Sequence, residues 1–357
     1  MGTHGERYFS DSSAEGNRFT KFVRRCYDGP MRTVIVQQFG GVENLQIVEN
    51  TAPEPGPGQV VVRMTCIGLN HADLMARRGE YRASSGDPPF TPGIEGGGVI
   101  EAIAPDVLDR RPGQRVILPL GARGTYTTHY LIDAHRTVPA PDDPDRFPDD
   151  HLGSIWLPYL TAWGCLVWRQ NISLSQTVLL PAASSAVALA AAQVASDFGA
   201  VPIGLTTSPE KIDALREHYD HVIDATDDDW PKQVKAATGG CGVSVVFDPV
   251  AAGDLLTQEI RLLAPHGRVW IYGLLGSIGP VNVQPLIIKR AALAGWLVNE
   301  MLDAPSVLQH ACQYIIKKVA DGTYRLPIAQ RFTLDEVQHA HEVMQQGAHL
   351  GKMIITP

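Results

Sequence analysis

The sequence has no C-x-x-C pair. Its five cysteines, Cys26, Cys66, Cys165, Cys241 and Cys312, lie far apart, which excludes a structural zinc knot and suits reduced thiols. No apolar run reaches the roughly 18 residues that span a bilayer, and the first 30 residues lack the continuous apolar core of a secretory signal. A cytoplasmic protein without a membrane partner is therefore expected. Positive charge is also short, with 30 Lys and Arg against 38 Asp and Glu. A net charge of -8 argues against nucleic acid as a partner, because that affinity rests on clustered cations. What is abundant is apolar: 44% hydrophobic against 19% charged residues, enough for a large buried interior.

At 357 residues the chain is too long for one ordinary core. Residues 1–30 read as a polar extension, with Met31 as a candidate original start and ordered structure expected from MRTVIVQQFGG onward. Residues 31–157 hold short alternating runs such as QVVVRMTC and RVILP among Pro and Gly clusters, the pattern of a small β-rich domain. Residues 158–295 alternate apolar runs (TVLLPA, VPIGLTT, VSVVFDPV, RVWIYG) with helical stretches. That pattern predicts a doubly wound parallel sheet covered on both faces. Residues 296–357 supply a long helix and a last strand, GKMIITP, expected to rejoin the first domain.

The segments TCIGLNHADLMARRGEY, FTPGIEGGGVIEAI, RPGQRVI, YLTAWG, HVID, VVFDPV, GRVWIYG and GKMIITP occur in this order. Together they resemble the zinc-independent quinone oxidoreductase (zeta-crystallin-like) branch of the medium-chain dehydrogenase/reductase superfamily, from Met31 to Pro357. The resemblance implies an α/β protein: a chaperonin-10-like β-rich catalytic domain plus a doubly wound Rossmann domain, with the active site between them. It also implies a homodimer. Where zinc-dependent relatives carry a Cys and a His as ligands, this chain has Asn70 and Ile94. An amide and an aliphatic group cannot replace thiolate and imidazole, and His71 stands alone beside the first place, so no metal is expected.

Without a Lewis acid, hydride addition to an activated C=C bond is the easier chemistry, because charge passes to an enolate or phenolate oxygen that hydrogen-bond donors can stabilise. The implied reaction is NADPH-dependent reduction of a small hydrophobic quinone or α,β-unsaturated carbonyl. By resemblance, Asn70 and Tyr81 lie near the nicotinamide as donors and Asp73 orients them or relays a proton. The bland alternatives are a turn cap for Asn70 and loop packing for Tyr81.

The same resemblance assigns the cofactor to Thr161; to Ser184, Ser185, Ala186 and Val187 of the phosphate turn; to Thr207, Ser208 and Lys211 after the second strand; and to Val250, Tyr272, Gly273 and Lys352. No acid follows the second strand where an NAD site would place one, which favours NADPH. The Tyr often found after HVIN is replaced by Ala225.

Glycine is missing where it is most expected. The turn pattern falls on Ala182, Ser185 and Ala188, and DPVAAG puts Ala251 and Ala252 where two further glycines are usual. The cost of each replacement depends on whether the backbone there needs positive φ. A second reading follows from this loss: a fold with a weakened cofactor site catalysing a non-redox cyclisation or elimination. RNA binding or a structural role is a third.

Overall fold

The computed structural model describes residues 30–277 and 279–357. The predicted polar extension therefore lies outside the described residues except for Pro30. The first half is built from β1 (Pro30–Val36), β2 (Leu45–Thr51), β3 (Gln59–Leu69), helix α1 (His71–Arg78), β4 (Gly96–Ile103), β5 (Arg115–Ile117), β6 (His129–Asp133) and β7 (Val138–Pro139). Helix α2 (Trp156–Trp163) leads into β8 (Thr177–Pro181), α3 (Ala186–Asp197), β9 (Val201–Thr206), β10 (His221–Asp224), α4 (Trp230–Ala237), β11 (Val243–Asp248), α5 (Gly253–Leu262), β12 (Leu263–Ile271), α6 (Gln284–Lys289) and β13 (Ala292–Gly295). The chain ends with α7 (Pro305–Ala320), β14 (Ile328–Thr333), α8 (Val337–Gln346) and β15 (Lys352–Thr356).

Strands β8 to β13 form one parallel sheet in the order β10-β9-β8-β11-β12-β13. Its apolar runs bury both faces, as continuous rather than alternating hydrophobicity requires. Leu179, Ile203 and Val246 join the core on one side, while Val178, Leu180, Val245 and Phe247 join the core on the other. On the second side α3 presents Ala188, Ala190, Ala191, Ala192 and Ala195, all at most 1% exposed. Small side chains let it lie close against α2 and the sheet.

A second, seven-stranded sheet runs β14-β15-β3-β4-β5-β7, with β6 also on β3. The last strand does return to the first half: β15 pairs antiparallel with β3, Met353 opposite Leu69. That register brings residue 352 beside residue 70 across nearly the whole chain. One glycine is fixed by this approach, because a Cβ on Gly68 would fall on the Gly153 carbonyl and the Glu95 carboxylate.

Candidate active site between the two sheets

Asn70 precedes α1 and its backbone N–H donates to the Asp73 carboxylate at 2.9 Å, half of a capping arrangement. Its side chain does more than cap. The amide donates to the Gly68 carbonyl at 3.1 Å and to Glu95 Oε2 at 3.2 Å, and its Oδ1 accepts from Lys352 Nζ at 2.5 Å. Lys352 also donates to Glu95 Oε2 at 2.6 Å, both residues being 2% exposed. Glu95 Oε1 accepts from the Leu157 N–H at 2.8 Å, tying the cluster to the start of α2. Lys352, grouped by sequence with the cofactor residues, thus has its ammonium in a cluster with Asn70, the candidate catalytic residue, and both amide hydrogens of Asn70 are engaged.

Asp73 is 1% exposed and accepts from Tyr126 Oη at 3.2 Å, which in turn meets His341 Nε2 at 3.3 Å. Burial outweighs these donors and raises its carboxyl from the ordinary range to about 7. A carboxyl raised on folding stabilises the native state fully below its unfolded value of about 4. That contribution is lost as pH climbs through about 7. Asp73→Asn should therefore flatten the fall in unfolding free energy over this window relative to wild type; equal slopes in denaturation series would refute the assignment. Tyr81 lies just beyond α1, half-buried, with no hydrogen-bond partner among the described residues.

The turn expected to hold phosphate leaves β8 at Ala182 and enters α3 at Ser185. Positive φ falls on Ala182, at +52°, and not on Ser185, which is extended at φ -73° and caps the helix. Serine is therefore well suited to its place: its hydroxyl accepts from the Ala188 N–H at 3.3 Å. The Ala186 and Val187 amides belong to the first helical turn, which has no intrahelical acceptors, so they remain suited to a phosphate. In the second loop Ala251 takes φ +50° while Ala252 is extended at -76°. Only one of those two alanines is strained. Ala251→Gly should raise stability by about 0.5 kcal/mol, the left-handed penalty less the entropy cost of glycine; a loss in urea denaturation would contradict this backbone.

An open cleft of about 470 Å³ runs from this turn across the ends of β9 and β11, and Thr207, Ser208, Lys211, Ala225 and Val250 line it. Ala225 widens it where a tyrosine is usual. Lys211 does not point free into it: Nζ donates to Ser184 Oγ at 3.3 Å and to the Gly347 and His349 carbonyls at 2.9 and 3.0 Å. Gly351 N donates to the Ser184 carbonyl at 2.9 Å, joining the last strand to the turn. Tyr272 stacks on Phe247 with centroids 4.1 Å apart. Gly273 permits close approach of the two loops, since a Cβ there would lie 2.8 Å from the Pro249 carbonyl. Thr161 is buried on α2, its carbonyl accepting from Trp296 Nε1 at 2.9 Å.

Sequence reasoning missed His349. Burial, with Lys211, His71 and Lys352 around it, lowers its imidazole to about 4. Lys211, bonded to the His349 carbonyl and to Ser184 Oγ, brings a positive charge to this turn, which favours an anion. No motif signals this, because His349 comes from a loop between α8 and β15. Glu95 was visible within PGIEGGG but had no evident partner.

A model of the alcohol dehydrogenase GroES-like domain matches residues 56–142, and one of the zinc-binding dehydrogenases matches residues 186–313. The chain is 30% identical to a quinone oxidoreductase of Pseudomonas aeruginosa, covering 89% of this chain and 97% of that one. It is 29% identical to a 2-haloacrylate reductase of Burkholderia sp over 90% and 98% of the two chains. Among solved structures, Escherichia coli quinone oxidoreductase complexed with NADPH superposes with a TM-score of 0.83 at 25% identity, over 91% of this chain and all of that one.

Catalytic zinc does not fit the donors present. Asn70 Oδ1 and Glu95 Oε2 both hold the Lys352 ammonium, and a cation there would face an ammonium rather than a second ligand. Among the described residues no three His, Cys, Asp or Glu side chains are grouped to hold a metal. The GroES-like β domain, the parallel nucleotide-type sheet and the matches across nearly the whole length agree: the chain belongs to the medium-chain dehydrogenase/reductase superfamily and is an oxidoreductase.

Proposed function

We propose that this oxidoreductase uses NADPH, without zinc, to reduce a small hydrophobic quinone or α,β-unsaturated carbonyl. The observation that carries the proposal is the meeting, through Lys352 and Gly351, of a buried Asn70–Glu95–Lys352 cluster with the anion-suited turn at Ser184–Val187. The printed activities of the quinone oxidoreductase and 2-haloacrylate reductase relatives, and the NADPH in the Escherichia coli structure, support it.

Bound NADPH would supply hydride, held by the Ser184–Val187 turn, the Thr207 and Ser208 hydroxyls, and the loops carrying Val250 and Gly273. Substrate charge then develops on oxygen. Lys352 opposes that charge through its field, which is strong because water is excluded. Asn70 fixes the ammonium, and the unpartnered Tyr81 phenol is the donor left for the oxygen and its proton. Titration with NADPH by fluorescence, followed by turnover with a quinone and an enone, tests the reading. It fails if millimolar NADPH does not bind.

A specific observation favours the non-redox alternative: Lys211, the expected partner of the NADPH 2′-phosphate, is engaged by three oxygens. Turnover with stoichiometric NADPH oxidation would exclude it. No described helix is long and apolar enough to cross a membrane. The partner proposed is a small carbonyl compound, met in the cytoplasm.

The active unit is proposed to be a homodimer. Strand β13 is an edge of the parallel sheet, and beside it Ile287 and Ile288 are 81% and 77% exposed, with Val283 and Leu297 also exposed. Such an apolar edge invites pairing with a second copy. Ile287→Asp with Ile288→Asp should shift the molecular mass in light scattering from dimer to monomer; a wild-type monomer would end the proposal.

A further inference from the structure

Behind the loop that follows β11 lie two carboxyl groups that the reaction does not use. Asp248 ends β11 and Glu259 lies on the inner face of α5; both are 0% exposed. The Asp248 oxygens accept from the Val250 N–H at 2.6 Å and the Ala251 N–H at 2.8 Å, so this carboxyl holds the loop in the conformation that gives Ala251 its positive φ. Neither Glu259 oxygen receives a hydrogen bond from any N–H or O–H donor among the described residues. Among the described residues, the polar group that acts on it is the Asp248 carboxyl.

Two buried carboxylates facing each other without a cation would be strongly repelled, and unmade hydrogen bonds in a dry interior add to that cost. One proton between them removes both penalties. The groups facing the pair supply no opposing charge: the Tyr272 phenol approaches Asp248 from the end of β12, with Cys165 behind it, and neither is cationic. Asp254 and Arg261, on the same helix, are solvent-exposed and make no bond to the pair.

We propose that Asp248 and Glu259 share a single proton, carried by Glu259, and that the pair acts as a positioning device for the cofactor loop at Val250–Ala251. Two backbone donors favour the charged form of Asp248, and that places the proton on Glu259. Burial and the facing Asp248 both raise the Glu259 carboxyl well above its ordinary range, in agreement with this placement. Loss of the proton to solvent at alkaline pH leaves two buried charges, and the route to relief is to open the loop. Cofactor affinity then declines on the alkaline side. The positioning role rests on the reading that a dinucleotide occupies this cleft, whereas the shared proton does not.

Two measurements on the full chain test the inference. Infrared spectroscopy in an Asp73→Asn background, which removes the carboxyl outside the pair that burial also raises, should show a protonated-carboxyl band that is missing when Glu259→Gln is added; its presence with and without Glu259, or in neither protein, overturns the shared proton. NADPH dissociation constants should rise with pH in wild type and stay level in Glu259→Gln, whose amide N–H can replace the donated proton. In Glu259→Ala they should rise about tenfold at neutral pH, as expected when a buried partner is removed. Matching pH profiles for wild type and Glu259→Gln overturn the positioning role. If the band behaves as expected but wild type binds no NADPH, the cofactor reading falls, and the positioning role with it, while the shared proton stands.

Discussion

Lys352→Met is expected to lose about 3–5 kcal/mol of folding stability, the usual result of removing one member of a buried ion pair. It is also expected to lower kcat/KM roughly 100-fold, the scale seen when one stabiliser of a developing oxyanion is lost. The ammonium and the Glu95 carboxylate are both almost wholly inaccessible to water, and the Asn70 amide is oriented between them. With the ammonium gone, Glu95 retains the Asn70 and Leu157 donors but has no counter-charge. The double variant Lys352→Met with Glu95→Gln removes both charges and should regain more than half of the lost stability without regaining activity. Urea denaturation and steady-state kinetics on the three proteins separate the two effects. A single variant that unfolds within about 1 kcal/mol of wild type would mean that the pair is solvated.

Ala186→Asp should produce the opposite combination. The first helical position of α3 accepts an acid well, because it opposes the positive end of the helix dipole; stability should hold or rise by about 0.3–1 kcal/mol. The same carboxylate would stand where a pyrophosphate is proposed to bind. Two like charges about 5 Å apart in a medium of effective dielectric near 20 repel by about 3 kcal/mol, so NADPH affinity should fall at least 100-fold. Calorimetric titration measures the affinity and a thermal melt measures the fold. Unchanged NADPH binding would place the pyrophosphate elsewhere and remove the main support for the cofactor assignment.

These predictions depend on different kinds of information in the chain. Continuous apolar runs such as TVLLP and VSVVFD were enough to foretell a parallel sheet, because a strand buried on both faces has no polar side to show. The position of the turn between β8 and α3 was legible for the same local reason: strand, small residues, then helix. Its chemistry was only half legible. A serine in place of glycine at 185 looked like the larger obstacle, yet the strained φ lies three residues earlier at Ala182, and Ser185 is an ordinary helix cap. Sequence spacing marks where a turn lies but not which of its residues takes the left-handed conformation.

The sequence by itself determined the two-sheet architecture, the lack of zinc ligands at positions 70 and 94, and the absence of an acid after β9. Each is a matter of residue identity or of periodicity within one segment. Only the tertiary structure decided that Lys352 meets Asn70 and Glu95, that Lys211 is engaged by the 347–349 loop, and that Glu259 faces Asp248. These pairings join segments as much as 282 residues apart. They are set by strand register and helix rotation in the packed molecule, and those are properties of the whole core rather than of any stretch of sequence.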